Sequence, residues 1–160
     1  EHYCRVWSHV YELETVCLRY FNIFGPRQDP ASPYSGVISI FARAMIDGRT
    51  PTIHGDGEQS RDFTFVDNVV AANMLACAMP STAGEIYNIG CARAITVNEL
   101  VAALNTCLGS ELKPDHIESR AGDVRVSLAD ISAASQQLGY EPTTAFEEGL
   151  RQTVDWMRAS

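Results

Sequence analysis

Lysine is almost missing from this 160-residue chain: eleven of its twelve basic residues are arginine, and Lys113 stands alone. The basic residues are scattered, and the formal net charge is −8. A polyanion would be repelled overall, so nucleic acid and an anionic membrane surface are excluded as expected partners. No apolar run approaches the ~20 residues that cross a bilayer. Cys-x-x-C is absent, and the five cysteines (Cys4, Cys17, Cys77, Cys91, Cys107) are odd in number. That pattern argues against a disulfide framework and for reduced, buried thiols, as in a cytoplasmic protein. His2, His9, His54 and His116 lack metal-ligand spacing, so no metal site is expected. A signal peptide and an initiating Met are also lacking. The chain opens inside a helical pattern, which reads as a fragment.

What is present is ordinary for a folded α/β protein. Hydrophobic residues make up 46% and charged residues 20%. The length suits one unit that buries roughly 70% of its unfolded surface. Residues 1–11 read as the end of a helix with Tyr3, Val6 and Val10 on one face. Residues 15–21 are β-branched and aromatic and read as a strand ending near Asn22. Three prolines and a glycine make 25–35 a loop. The pattern predicts a helix over 36–47 with Val37, Phe41 and Met45 or Ala44 inward. It predicts a short strand at Ile53, a turn at Gly55-Asp56-Gly57 and a strand over 61–66. Asp67 is the expected N-cap of a helix reaching Met79.

Further on, strands are expected over 85–89 and 114–119. Thr96-Val97-Asn98-Glu99 is a capping box, and Gly109 stops its helix. The helix's apolar face is Val97, Leu100, Val101, Leu104 and Leu108. Asp130 is expected to cap a short helix ending at Gly139. Thr144 with Glu147 reads as a second capping box, ahead of the stripe Phe146, Leu150, Val154 and Met157. Alternation of strands and helices gives an α/β fold class.

Three strings carry the chemistry: Leu18-Arg19-Tyr20-Phe21-Asn22-Ile23-Phe24-Gly25-Pro26-Arg27-Gln28-Asp29-Pro30, Ile53-His54-Gly55-Asp56-Gly57-Glu58-Gln59-Ser60-Arg61-Asp62-Phe63, and Ser119-Arg120-Ala121-Gly122-Asp123-Val124. In this order they resemble the C-terminal half of NAD-dependent nucleotide-sugar epimerases and dehydratases of the extended short-chain dehydrogenase/reductase family. The resemblance implies that residues 1–24 end a Rossmann-like NAD-binding domain and that 25–160 mainly form the nucleotide-sugar-binding domain. Two family signatures are missing from the 160 residues. No two glycines are three apart, so Gly-x-x-Gly-x-x-Gly is absent, and no tyrosine precedes a lysine in Tyr-x-x-x-Lys. No catalytic residue is therefore assigned within the chain.

The resemblance assigns binding roles instead. Arg61 and Arg120 fall where the family contacts the diphosphate, and a guanidinium suits phosphate because it can give two charge-assisted bonds at once. Asp123 matches the carboxylate that accepts from the ribose hydroxyls, and Ala121 replaces the proline common in that turn. Asn22 matches a substrate-contacting amide at a strand end, where ligands bind in open α/β sheets. Val37, Ile53 and His54 match segments enclosing the nucleobase, with His54 as a stacking or spacing residue. Tyr20 and Ile23 match positions bordering the nicotinamide, although Tyr20 also fits a plain core position. Ser32-Pro33-Tyr34-Ser35-Gly36-Val37-Ile38-Ser39 is more similar to UDP-sugar 4-epimerases than to dTDP-glucose dehydratases. The expected function is thus the nucleotide-sugar-binding half of an NAD-dependent UDP-sugar 4-epimerase, working as a homodimer. The alternatives are a 4,6-dehydratase or decarboxylase fragment and a non-catalytic nucleotide-sugar-binding module.

Overall fold

The computed structural model describes residues 1–32, 35–79 and 82–159. Pro33 and Tyr34 of the epimerase-like string lie outside the described residues. In chain order the elements are α1 (His2–Tyr11), β1 (Cys17–Tyr20), β2 (Asn22–Phe24), α2 (Val37–Ile46), β3 (Thr52–His54), β4 (Ser60–Phe65), α3 (Val66–Ala78), β5 (Ile86–Ile89), β6 (Ala94–Thr96), α4 (Val97–Leu108), β7 (Asp115–Ile117), β8 (Val126–Ser127) and α5 (Phe146–Ala159). A π-helical turn spans Ala134–Leu138. The α/β class is as expected.

Three small sheets organise these elements. β1 pairs in parallel with β5, and β3 with β7. β4 joins β2 and β8 in parallel and β6 antiparallel. The expected first strand is in fact two. It runs beside β5 as far as Tyr20, and the Phe21 N–H still donates to Ile89. From Asn22 it pairs with β4 instead. Asn22 therefore opens β2 rather than ending β1, at the point where the chain leaves one sheet for another. β5 returns from far along the chain to β1, so strand pairing crosses residue 24.

Aromatic residues on alternate positions of β2 and β4 build the main core. Phe24, Phe63, Phe65 and Phe146 are all buried, and the Phe24 ring centroid lies 5.6 Å from Phe65 and 5.8 Å from Phe146. Over them lie the apolar faces of α2, α4 and α5. The α5 stripe Phe146, Leu150, Val154 and Met157 is wholly buried, as its spacing predicts. A second core joins Tyr87 and Ile89 of β5 to Ala72, Ala134, Leu138 and Tyr140.

Several local expectations are corrected. In α2 Phe41 and Met45 are buried as expected, together with Ile38, Val37 packs half-buried against the core, and Ala44 is half-buried at a cavity edge. β4 runs straight into α3, so extended Phe65 is the N-cap and Val66 is already helical. Asp67 is left in the first turn, where its charge suits the helix dipole without capping it. Thr144 and Glu147 form no capping box. Buried Asn68 holds the Thr144 backbone through its N–H (3.0 Å) and carbonyl (2.9 Å), and Glu147 is drawn to Arg93 (2.7 Å). The Thr96–Glu99 box does form, with Gly109 left-handed at the end of α4. The Asp130 carboxylate accepts from Ser132 N–H at 2.9 Å, ahead of the π turn that Gly139 ends.

Candidate functional site

Two glycines and one asparagine fix the turn that leads into Arg61. Gly55 and Gly57 both have left-handed backbones (φ +83° and +79°). A Cβ on Gly57 would stand 2.1 Å from Asn98 Oδ1, so the position needs glycine for space as well. Asn98 donates to the Asp56 carbonyl (3.0 Å) and to the Glu58 carboxylate (2.7 Å), tying the turn to the start of α4. Arg125 grips Asp56 through both terminal nitrogens, at 2.7 and 3.0 Å. The Ser60 N–H donates to the Arg125 carbonyl at 2.9 Å. These bonds hold the 119–126 segment beside the start of β4, although the two lie far apart in sequence.

That juxtaposition builds the cation cluster. Arg61 and Asp123 pair at 2.5 Å, with side chains 17% and 36% exposed. Arg61 also donates to the carbonyls of Ser60 (2.8 Å) and Val124 (2.5 Å). The Arg120 N-terminal neighbour of this pair sits in a four-residue turn. Asp123 N–H donates to the Arg120 carbonyl at 3.2 Å, with Gly122 at φ +83° in the third position. This is the geometry in which proline is favoured second, and Ala121 takes that place. The Arg120 guanidinium is exposed and makes no ion pair among the described residues.

A cavity of about 460 Å³ gathers Val37, Ile53, His54, Arg61, Arg120 and Asp123. Six of the seven positions assigned to the substrate thus share one space. Ile53 is its buried apolar floor, and Val37 forms part of its wall. His54 is held by its backbone and ring: its carbonyl accepts from Gln59 Nε2 (2.7 Å), and its Nδ1 lies 3.3 Å from the Glu118 carbonyl. Three arginines (Arg49, Arg61 and Arg120) and one carboxylate line the same space, so the site is locally positive on a chain of net charge −8. It can hold an anion between Arg61 and Arg120, a hydroxylated group at Asp123 and a flat apolar group against Ile53.

The seventh position, Asn22, lies in an adjoining cavity of about 310 Å³ with Ile23, Gln28 and Gly36. The two cavities share Val37 and Arg61. Asn22 Nδ2 donates to the Asp62 carbonyl at 3.3 Å. Tyr20 is not brought to either space. It is 45% exposed, its hydroxyl donates to Asn73 on α3 (2.9 Å), and it borders a separate hollow between β1 and α3. Period-2 alternation would put Tyr20 and Asn22 on one face, but they lie on different strands with a change of partner between them. Sequence reasoning missed Gln59, Asn98 and Arg125 as organisers of the site. Their roles rest on pairings with distant residues that no local pattern signals.

The NAD dependent epimerase/dehydratase family model matches residues 1–90. The chain belongs to that family. It is 36% identical over 158 residues to UDP-glucose 4-epimerase of Mycolicibacterium smegmatis, covering 99% of this chain and 50% of that protein. The UDP-glucose 4-epimerase of Thermotoga maritima, solved with UDP-glucose, is 41% identical with a TM-score of 0.93, over 99% of this chain and 50% of the other. The UDP-glucuronic acid 4-epimerase of Bacillus cereus, solved with UDP-glucuronic acid and NAD, is 30% identical with a TM-score of 0.88, over 99% and 49%. The chain spans about half the length of these relatives. The family is NAD dependent, and Gly-x-x-Gly-x-x-Gly is absent from the 160 residues.

Proposed function

We propose that the chain is the nucleotide-sugar-binding half of an NAD-dependent UDP-sugar 4-epimerase. The observation that carries this reading is the shared cavity, in which two arginines, a ribose-suited carboxylate and an apolar floor stand together. Uracil would lie against Ile53 and Val37 beside His54, the diphosphate between Arg61 and Arg120, and the ribose hydroxyls on Asp123. The sugar would extend past Arg61 toward Asn22. Strong hold on the diphosphate with few contacts to the sugar suits an epimerase. Its keto-sugar intermediate must turn over so that hydride returns to the other face, while the nucleotide stays anchored.

On the same reading, residues 1–24 close the NAD-binding domain and 25–160 mainly form the substrate domain. NAD is held chiefly by residues outside this chain, with Ile23 and Tyr20 as its borders here. The assembly is a cytoplasmic homodimer, in keeping with five free thiols and no helix, among the described residues, long and apolar enough to cross a membrane. Lacking Tyr-x-x-x-Lys, the chain alone should bind without turnover.

Titration calorimetry with UDP tests the anchor. A charge-assisted bond contributes about 1.5–3 kcal/mol, so Arg61→Ala or Arg120→Ala should each weaken UDP about tenfold or more. Both variants binding UDP like the parent would remove the anchor assignment.

A further inference from the structure

One buried acid lines neither of the two cavities. Asp62 follows Arg61 in β4 and is fully buried, because alternation along the strand turns it to the opposite side. It makes no ion pair among the described residues. Its partners are backbone N–H groups from two separate segments. Cys91 donates to Oδ1 at 2.8 Å, and Ala129 donates to Oδ2 at 3.2 Å. Two donors need two acceptors, which a carboxylate supplies and a side-chain amide does not. A buried carboxylate without a cation is costly, so its place here calls for a reason. The packing around it is also close. A Cβ on Gly90 would stand 2.8 Å from Asp62 Oδ2 and 2.4 Å from the Ala129 Cβ, so the three segments meet without slack.

The Ala129 bond is the last of three ties between β4 and the segment 123–129. At one end Arg61 takes Asp123 and the Val124 carbonyl, both at 2.5 Å. In the middle Val126 and Ser127 pair with Ser60 and Arg61. At the other end Asp62 holds Ala129. We propose that Asp62 is a positioning residue for the nucleotide anchor: by fixing Ala129 it sets where the 123–129 segment places the Asp123 carboxylate beside Arg61. The inference rests on the proposed UDP site, to which Arg61 and Asp123 belong. Asp62 touches no ligand itself and acts from the far side of the strand.

Calorimetry with UDP well below the melting temperature tests this on the parent chain, Asp62→Asn, Asp123→Ala and the double variant. Asp62→Asn keeps the shape but leaves one of the two N–H groups facing an NH2. UDP should weaken about three- to tenfold, the effect of a lost hydrogen bond, which lowered stability alone would not produce in a folded chain. In the Asp123→Ala background the same change should cost less than about twofold, since no carboxylate remains to be placed. Unchanged UDP binding by folded Asp62→Asn, or an equal loss in both backgrounds, overturns the positioning role and leaves the nucleotide site standing. Thermal melting checks the fold. If Asp62→Asn is unfolded, amide hydrogen exchange on the parent decides. A clamp that sets the site must itself be tightened by the ligand, so saturating UDP should slow the Ala129 N–H about fivefold or more beyond its effect on the amides of α5. Slowing no greater than in α5 overturns the role. No UDP binding by the parent overturns the site itself, and this inference with it.

Discussion

Asp56 shows how a single ionised residue can arrange a site it does not enter. Its carboxyl is pulled down to about 2, first by the hydrogen bonds from Arg125 and then by the Glu58 N–H. The ordinary value is 3.8, so the folded state favours the charged form more than the unfolded chain does. The stabilisation is present in full above about pH 4 and is lost as pH falls through the folded value near 2. Titration of the Asp56 carboxyl carbon by NMR should give a midpoint near 2, and Arg125→Ala should return it toward the ordinary range. A midpoint near 3.8 in the parent would show that the pair does not hold in solution. At this scale the sequence was legible where a motif names the residue. Arg61, Arg120 and Asp123 sit in strings whose order survives in the linear chain, and the cavity unites them. Arg125 was not legible, because its meaning comes from Asp56, which the fold alone brings near. Tyr20 sits inside a recognisable string too, but the change of sheet at Phe21 turns it toward α3 and away from the cavity that holds the other residues of the strings.

At the scale of elements, two similar signals diverge, and the divergence can be measured. Thr96 and Glu99 exchange bonds with each other's backbone at 3.0 and 2.7 Å. Thr96→Ala should therefore cost about 1 kcal/mol of stability, the usual worth of an N-cap. Thr144 with Glu147 has the same spacing, yet Glu147 pairs with Arg93 and the Thr144 backbone is held by Asn68. Thr144→Ala should stay within about 0.5 kcal/mol. Urea denaturation of both variants checks the pair of expectations, and equal losses would contradict the structure. The helices α4 and α5 were legible because each buries a continuous stripe over three or more turns. β6 was not, since three residues are too few to display alternation, and it exists through pairing with β4. The start of α3 was misplaced because a strand feeding directly into a helix leaves no room for a polar cap.

For the whole molecule, the decisive feature is α1, none of whose residues is buried. Tyr3, Val6, Trp7 and Val10 follow helical spacing and so form one apolar stripe, but the stripe faces outward, with Tyr3 83% and Val10 63% exposed. Leu13 continues the exposed apolar surface. What anchors α1 is slight: the Arg19–Glu1 pair at 2.7 Å is on the surface, and the Thr15 hydroxyl donates to the Cys4 carbonyl at 2.9 Å. A ten-residue helix is marginal on its own propensity and draws stability from packing. An outward stripe of this kind favours association, because a second copy removes apolar surface from water and supplies the packing that α1 lacks. Sedimentation velocity should therefore show mass increasing with concentration. Val6→Asp with Val10→Asp should return the chain to a monomer while leaving its melting temperature nearly unchanged, since neither side chain enters a core. A parent chain that remains monomeric at high concentration would mean that α1 tolerates its exposure, and would count against self-association through this face.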